Sequence, residues 1–393
     1  MKAMKLSFAP AVALGVISTL LLGALPQKAR AASGTVVIVA EGLSPQVLEL
    51  SKSYLRRADE DAELTTSFDF LKQNAKTATV SANALGQLSG LLQSAHDNGY
   101  ATGLVTTGDV TKIAPLFYKL QDDVAAGLTT KDAPYEFIAG GGADNLVGAA
   151  DKMATNDDTF VASSNGMYAE LKGRVLVAEA PADLSYSLDR NPAQESGLSE
   201  LATTAIDTLS SNEKPFLLVI HDSLIAKAVK SHDTPALFEQ FRELNTVIGD
   251  TIMRRDEDAN LKVAVLMTEA SVIPTFTTQS LDEQNAAYSI IAHLNQSFTF
   301  AGQSLKGKTA EDITAFIEPE SGEYRDWRLT AADKTKIANG TLAPETALRA
   351  FYEPTLKLNY AAKPSVASAF IVGFDAPDGL VAALKALATT PTA

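Results

Sequence analysis

The sequence predicts an α/β protein: three layers, with a mostly parallel central sheet and helices on both of its faces. Three observations lead there. Short apolar, β-branched runs recur along the chain, long amphipathic stretches lie between them, and neither an internal repeat nor a low-complexity linker interrupts the alternation. A strand buried on both faces of a parallel sheet reads as a continuous apolar run, and Thr35-Val36-Val37-Ile38-Val39-Ala40 is such a run. Gly103 to Thr107, Arg174 to Ala178, Pro215 to Ile220, Leu261 to Met267 and Val366 to Phe374 are further expected strands. Pro235 to Met253 is an expected helix, because Leu237, Phe241, Leu244, Ile248 and Ile252 recur at helical spacing on one face.

The first 31 residues read as a cleavable secretory signal peptide. Lys2 and Lys5 open it, Ala11 to Leu25 forms a short apolar core, and Ala29-Arg30-Ala31 offers a small–x–small cleavage site. The apolar run is short for a bilayer-spanning helix, so a periplasmic or secreted protein with no stable membrane anchor is expected. Residues 32–393 form one expected domain, in which about 271–362 is a less regular capping region of helices and loops.

Charge narrows the partners. The chain has 33 Lys and Arg against 47 Asp and Glu, a formal net charge of −14, which gives it no electrostatic reason to seek nucleic acid or an anionic membrane surface. There is no cysteine and there are four histidines, His96, His221, His232 and His293. A zinc centre built from several imidazoles would need most of them. His96 is expected at a helix C-terminus, His232 just before a helix capped by Asp233 or Thr234, His293 in packing, and Trp327 on a surface element.

In open α/β sheets the working residues gather at the carboxyl ends of strands. That points to Glu41 to Ser44, Gly108 to Pro115, His221 to Lys230 and Thr268 to Ser271. These four segments resemble alkaline phosphatases in order and context. VVIVAEGLSP (Val36 to Pro45) is similar to the family's first strand and acidic turn. ATGLVTTGDVTKIAPLFYKLQDDVAAGL (Ala101 to Leu128) looks like its strand, metal-binding turn and helix. FIAGGG (Phe137 to Gly142) resembles its strand and glycine turn, which makes the glycines a structural turn. Pro215 to Leu266 resembles the segment joining a metal-ligand loop, a long helix and the next strand.

The resemblance implies phosphomonoester hydrolysis by two zinc ions and a magnesium, with a serine nucleophile, a phosphate-holding arginine and a homodimer. Carried over residue by residue, the ligand set is largely replaced. The first ligand aspartate falls on Glu41 and the magnesium glutamate on His221. The zinc aspartate falls on Ala226, and the next Asp-His pair on Thr268-Glu269. Lys112, Lys227 and Lys230 stand where the family usually has histidine, and no arginine follows Tyr118. The nucleophile falls near Glu63 to Ser67, where Thr65, Thr66 or Ser67 could supply a hydroxyl. The last zinc histidine would lie near Pro364 to Ser368, where none occurs. An ammonium cannot ligate zinc while protonated.

The expectation is therefore a pseudoenzyme: an exported alkaline-phosphatase-like protein without metal-dependent hydrolysis and without a metal cofactor, acting as a binding or structural protein of the envelope. Lys112, Lys227 and Lys230 would either fill the vacated volume as buried ion pairs with Glu41, Glu63, Asp222 and Glu269, or bind a small phosphate-like anion. The alternative is a divergent hydrolase, in which Glu41, Asp109, His221, Asp222 and Glu269 hold magnesium or manganese (zinc less readily) beside Thr65 or Thr66.

Overall fold

The computed structural model describes residues 33–59, 64–79, 84–212, 214–317, 327–362, 368–372 and 380–389. The expected leader, Glu63 and positions 364–367 lie outside the described residues.

Eleven strands are described: β1 (Gly34–Ala40), β2 (Lys76–Thr79), β3 (Ala101–Asp109), β4 (Phe137–Gly141), β5 (Thr159–Val161), β6 (Val175–Ala178), β7 (Phe216–Asp222), β8 (Lys262–Met267), β9 (Ile273–Phe276), β10 (Leu358–Ala361) and β11 (Ser368–Val372). Nine form the central sheet in the order β2-β11-β8-β1-β7-β3-β4-β6-β5. The ladders from β8 to β5 are parallel, and β11 runs antiparallel to both β8 and β2.

The central strands are apolar throughout because both their faces are covered. Val36, Ile38 and Ala40 of β1 enter one core, and Val37 and Val39 enter the other. The first layer contains helices Pro45–Ala58, Ser67–Asn74, Leu198–Ser210, Leu224–Ser231 and Thr234–Glu257. The second contains Leu91–Asp97, Val110–Phe117, Val124–Thr129, Ala149–Thr155 and Leu380–Thr389. The chain thus has the expected three-layer α/β fold. The long helix runs one turn past Met253, where Arg254 and Arg255 suit the negative end of its dipole, and Leu237, Phe241, Leu244, Ile248 and Ile252 are all buried.

The 271–362 stretch carries helices Leu281–His293, Phe298–Leu305, Ala310–Ile317, Ala331–Ala338 and Pro344–Thr355, with β9 and β10 paired antiparallel. The Asp233 carboxylate joins it to the sheet layers. Asp233 is the N-cap residue of helix Thr234–Glu257, as expected, and its side chain accepts from the N–H groups of Phe298 and Thr299, both at 2.9 Å. Two expectations are corrected here. Trp327 is fully buried, its ring packed between Phe298 and Tyr352 at centroid distances of 6.1 and 5.9 Å, because its apolar area outweighs the pull of its charged neighbours. His293 is exposed at the end of its helix, where Nδ1 meets the Ser289 carbonyl at 2.7 Å. Among the described residues no helix is long and apolar enough to cross a membrane.

Candidate functional site

Strand register assembles the site. Val39 of β1 lies beside His221 of β7, and His221 lies beside Thr106 of β3. Ala40 is level with both Asp222 and Met267. The residues that follow therefore emerge together at the carboxyl end of the sheet. Gly42, at φ +80°, lets the turn after β1 press on helix Leu224–Ser231: a Cβ there would sit 2.6 Å from Ala226 Cα.

The floor of this site is buried and its polar atoms are occupied. His221 is 0 % exposed. The Gly108 N–H donates to Thr106 Oγ1 at 3.0 Å, which leaves the Thr106 hydroxyl proton free to point at His221 Nδ1, also at 3.0 Å. The other ring nitrogen, Nε2, faces Glu41 Oε2 at 3.1 Å. Next to it, Asp222 Oδ1 accepts from Leu224 N at 2.9 Å and Thr107 Oγ1 at 3.2 Å, and Oδ2 accepts from Gln240 Nε2 at 3.3 Å. Gln240 continues to Glu243, which holds the Arg190 guanidinium and the Leu198 N–H. Burial, then the Glu243 carboxylate, push the Asp222 pKa up to about 6, against the Leu224 N–H, Gln240 and His221.

The rim is charged, and its lysines are open to water. Asp109 caps helix Val110–Phe117, accepting from the Thr111 N–H at 2.9 Å and its hydroxyl at 2.6 Å. Its Oδ2 accepts from Asn145 at 2.9 Å and pairs with Lys112 at 3.0 Å. Burial opposes its charge, but the Thr111 hydroxyl and N–H and the Lys112 ammonium hold its pKa below the ordinary carboxylate range. Asp183 Oδ1 accepts from Asp109 N at 3.1 Å, and Oδ2 accepts from Lys227 Nζ at 3.2 Å. That ammonium lies 5.9 Å from the Tyr186 ring centroid. Lys112 and Lys227 side chains are 69 % and 52 % exposed, and Lys230 is exposed on the last turn of its helix. The expected network of buried lysines is thus corrected: the stems reach the surface and the ammonium groups keep their water. A buried lysine does occur elsewhere, Lys52, paired with Asp69 at 2.6 Å.

The structure brings Glu41, His221 and Asp222 together and sets Lys112 and Lys227 on the rim beside Asp183. Glu269 is exposed, one residue after Thr268, whose Oγ1 accepts from Gly42 N at 2.9 Å. Thr65 is exposed, and Thr66 forms a capping box with Asp69. Ser67 donates from its hydroxyl to the Asn245 carbonyl at 2.7 Å. Thr66 thus caps helix Ser67–Asn74, and Ser67 secures it to the long helix Thr234–Glu257.

The donor set does not fit the two-zinc and magnesium centre that the fold implies. His221 is the imidazole of the site, and both its nitrogens are engaged. Asp222 is enclosed, and both oxygens of Asp109 are engaged, Oδ1 by Thr111 and Oδ2 by Asn145 and the Lys112 ammonium. Among the described residues no three metal-ligating side chains gather where they could hold an ion.

With this geometry in place, the class is defined: an α/β protein with the alkaline phosphatase fold. The structure superposes on alkaline phosphatase of Thermus thermophilus with a TM-score of 0.74 at 14 % identity, covering 92 % of this chain and 91 % of that one. The cold-active enzyme of Shewanella sp. gives 0.72 at 15 % identity, covering 91 % and 100 %. That of the Antarctic bacterium TAB5 gives 0.54 at 12 %, covering 92 % and 98 %. In sequence the chain is similar to alkaline phosphatase 4 of Bacillus subtilis, 23 % identical over 283 residues; the match spans 65 % of this chain and 61 % of that enzyme's length. No protein-family profile matches the chain. The protein is alkaline-phosphatase-like, and the low identity accords with wide divergence.

Proposed function

We propose that this is an exported alkaline-phosphatase-like pseudoenzyme, a protein that has left metal-dependent phosphomonoester hydrolysis and works as a binding or structural protein of the envelope. One observation carries the reading. The Thr106–His221–Glu41 chain ties up, within the protein, donor atoms that a metal would require. The leader supports export. The rim supports a phosphate-like anion as ligand, because Lys112 and Lys227 are solvated and paired with carboxylates that an anion can displace. The Lys227–Asp183 pair is exposed on both sides, and pairs of this kind hold by only about 0–1 kcal/mol.

Metal analysis of the purified protein, combined with a p-nitrophenyl phosphate assay in zinc, magnesium and manganese, tests the loss of hydrolysis. Substoichiometric metal and no turnover are expected. Stoichiometric metal with turnover would establish the carboxylate-rich hydrolase instead. Calorimetric titration with inorganic phosphate tests the anion site. Heat of binding and a raised melting temperature are expected; neither appearing at millimolar phosphate would remove that part of the proposal.

A further inference from the structure

Ser223 follows the floor residues His221 and Asp222 and is half-buried at the mouth of the site. Its hydroxyl lies 3.3 Å from Thr107 Oγ1, and Thr107 Oγ1 lies 3.2 Å from Asp222 Oδ1. The direction of these bonds is determined by the acceptors. A carboxylate can only accept, so the Thr107 proton points to Asp222. The Ser223 N–H donates to Thr107 Oγ1 at 2.9 Å, which leaves that oxygen one further lone pair, the one that faces the Ser223 hydroxyl. Proton density therefore runs inward from a half-buried serine, through a threonine, to a fully buried carboxylate.

The rim supplies charge at the same place. Lys227 is four residues beyond Ser223, on the same face of the helix. Its partner Asp183 accepts from Asp109 N, and the next residue, Leu184, donates to the Thr107 carbonyl at 2.8 Å. The segment holding Lys227 is thus tied to the strand end that carries Thr107, and Lys112 joins it through Asp109.

We propose that Ser223 is a metal-independent nucleophile toward tetrahedral phosphorus bearing a good leaving group, with Thr107 and Asp222 removing its proton and the rim lysines offsetting charge on the phosphoryl oxygens. In the step, the Ser223 Oγ–P bond forms as the bond from phosphorus to the leaving group breaks, and the leaving group departs with that electron pair. The Ser223 proton passes to Thr107 Oγ1 while the Thr107 proton passes to Asp222 Oδ1. This goes beyond the loss of metal-dependent hydrolysis and does not depend on it.

The test uses the whole chain, in EDTA throughout, with a fluorophosphonate probe; the leaving group is then fluoride. Peptide mass spectrometry should find the adduct on Ser223. Ser223→Ala should remove it. Thr107→Val, with an unchanged circular dichroism spectrum, should label at least about tenfold more slowly, and Thr107→Ser should label at close to the original rate. The labelling rate should climb with pH through about 6, where Asp222 loses its proton. The proposal is overturned if no adduct forms on Ser223 under conditions that label a serine hydrolase in parallel, or if Thr107→Val labels as fast as the unchanged protein. Because EDTA is present, zinc-dependent turnover would count against the proposed function and leave this result untouched.

Discussion

The floor and the rim of the site lie side by side on the same strand ends and follow opposite rules. On the floor, His221, Asp222 and Gln240 are shut from water and Glu243 nearly so, so their polar atoms must be partnered within the protein. On the rim, Lys112 and Lys227 pair with Asp109 and Asp183, yet water competes for both ammonium groups. The same count of hydrogen bonds therefore carries unequal free energy. A group removed from the floor leaves its partner stranded, whereas one removed from the rim is replaced by solvent. The difference locates structure in the floor and exchangeable contacts in the rim.

The most severe way to break this contrast is to strand a charge. Arg190 and Glu243 form a pair whose side chains are 8 % and 10 % exposed. Arg190→Met leaves the Glu243 carboxylate buried without its cation. The expected loss is about 3–5 kcal/mol in urea unfolding; a loss below about 1 kcal/mol would show that the floor tolerates open ends.

A second effect comes from protons. The Asp222 pKa is raised from an ordinary 3.8 to about 6, so the native state holds that proton more tightly than the unfolded chain does. Its contribution is full below about pH 4 and is lost as pH rises through about 6. Asp189, raised to about 6 chiefly by burial, acts in the same sense. Between about pH 4 and pH 7.5 the unchanged protein should lose roughly 2–3 kcal/mol more stability than Asp222→Asn does, in urea melts at each pH. Parallel pH curves for the two proteins would contradict this.

How much of this was legible in the sequence follows the same division between enclosed and open regions. Central strands such as β1 and β7 were legible because burial on both faces leaves an unbroken apolar run. The short strands β5, Thr-Phe-Val, and β2, Lys-Thr-Ala-Thr, carry no such signal. Glu41, His221 and Asp222 were found because they lie at strand ends. Thr107 and Ser223 were not, since a contact 116 residues apart is created by register. The signal that was available is the pair Thr106-Thr107 closing an otherwise apolar strand, two hydroxyls that burial obliges to find partners. The lysines misled in burial because sequence position cannot distinguish a side chain filling a cavity from one whose stem reaches the surface.

The smallest effect on stability falls on the rim. Lys227→Gln breaks a pair exposed on both sides and should change unfolding free energy by no more than about 0.5 kcal/mol; Lys112→Gln takes the cation from a buried carboxylate, to which Thr111 and Asn145 still donate, and should cost more, up to about 1 kcal/mol. Binding should respond differently. With Lys227→Gln, Asp183 loses its cation and faces an incoming anion as a bare negative charge; with Lys112→Gln, the Lys227–Asp183 pair is retained. Phosphate affinity, measured by calorimetry, should therefore fall further with Lys227→Gln than with Lys112→Gln, and added salt should narrow the gap by screening Asp183. Equal affinities for the two variants would place the anion away from Asp183. A stability loss above 1 kcal/mol in either would mean that the lysine belongs with the floor.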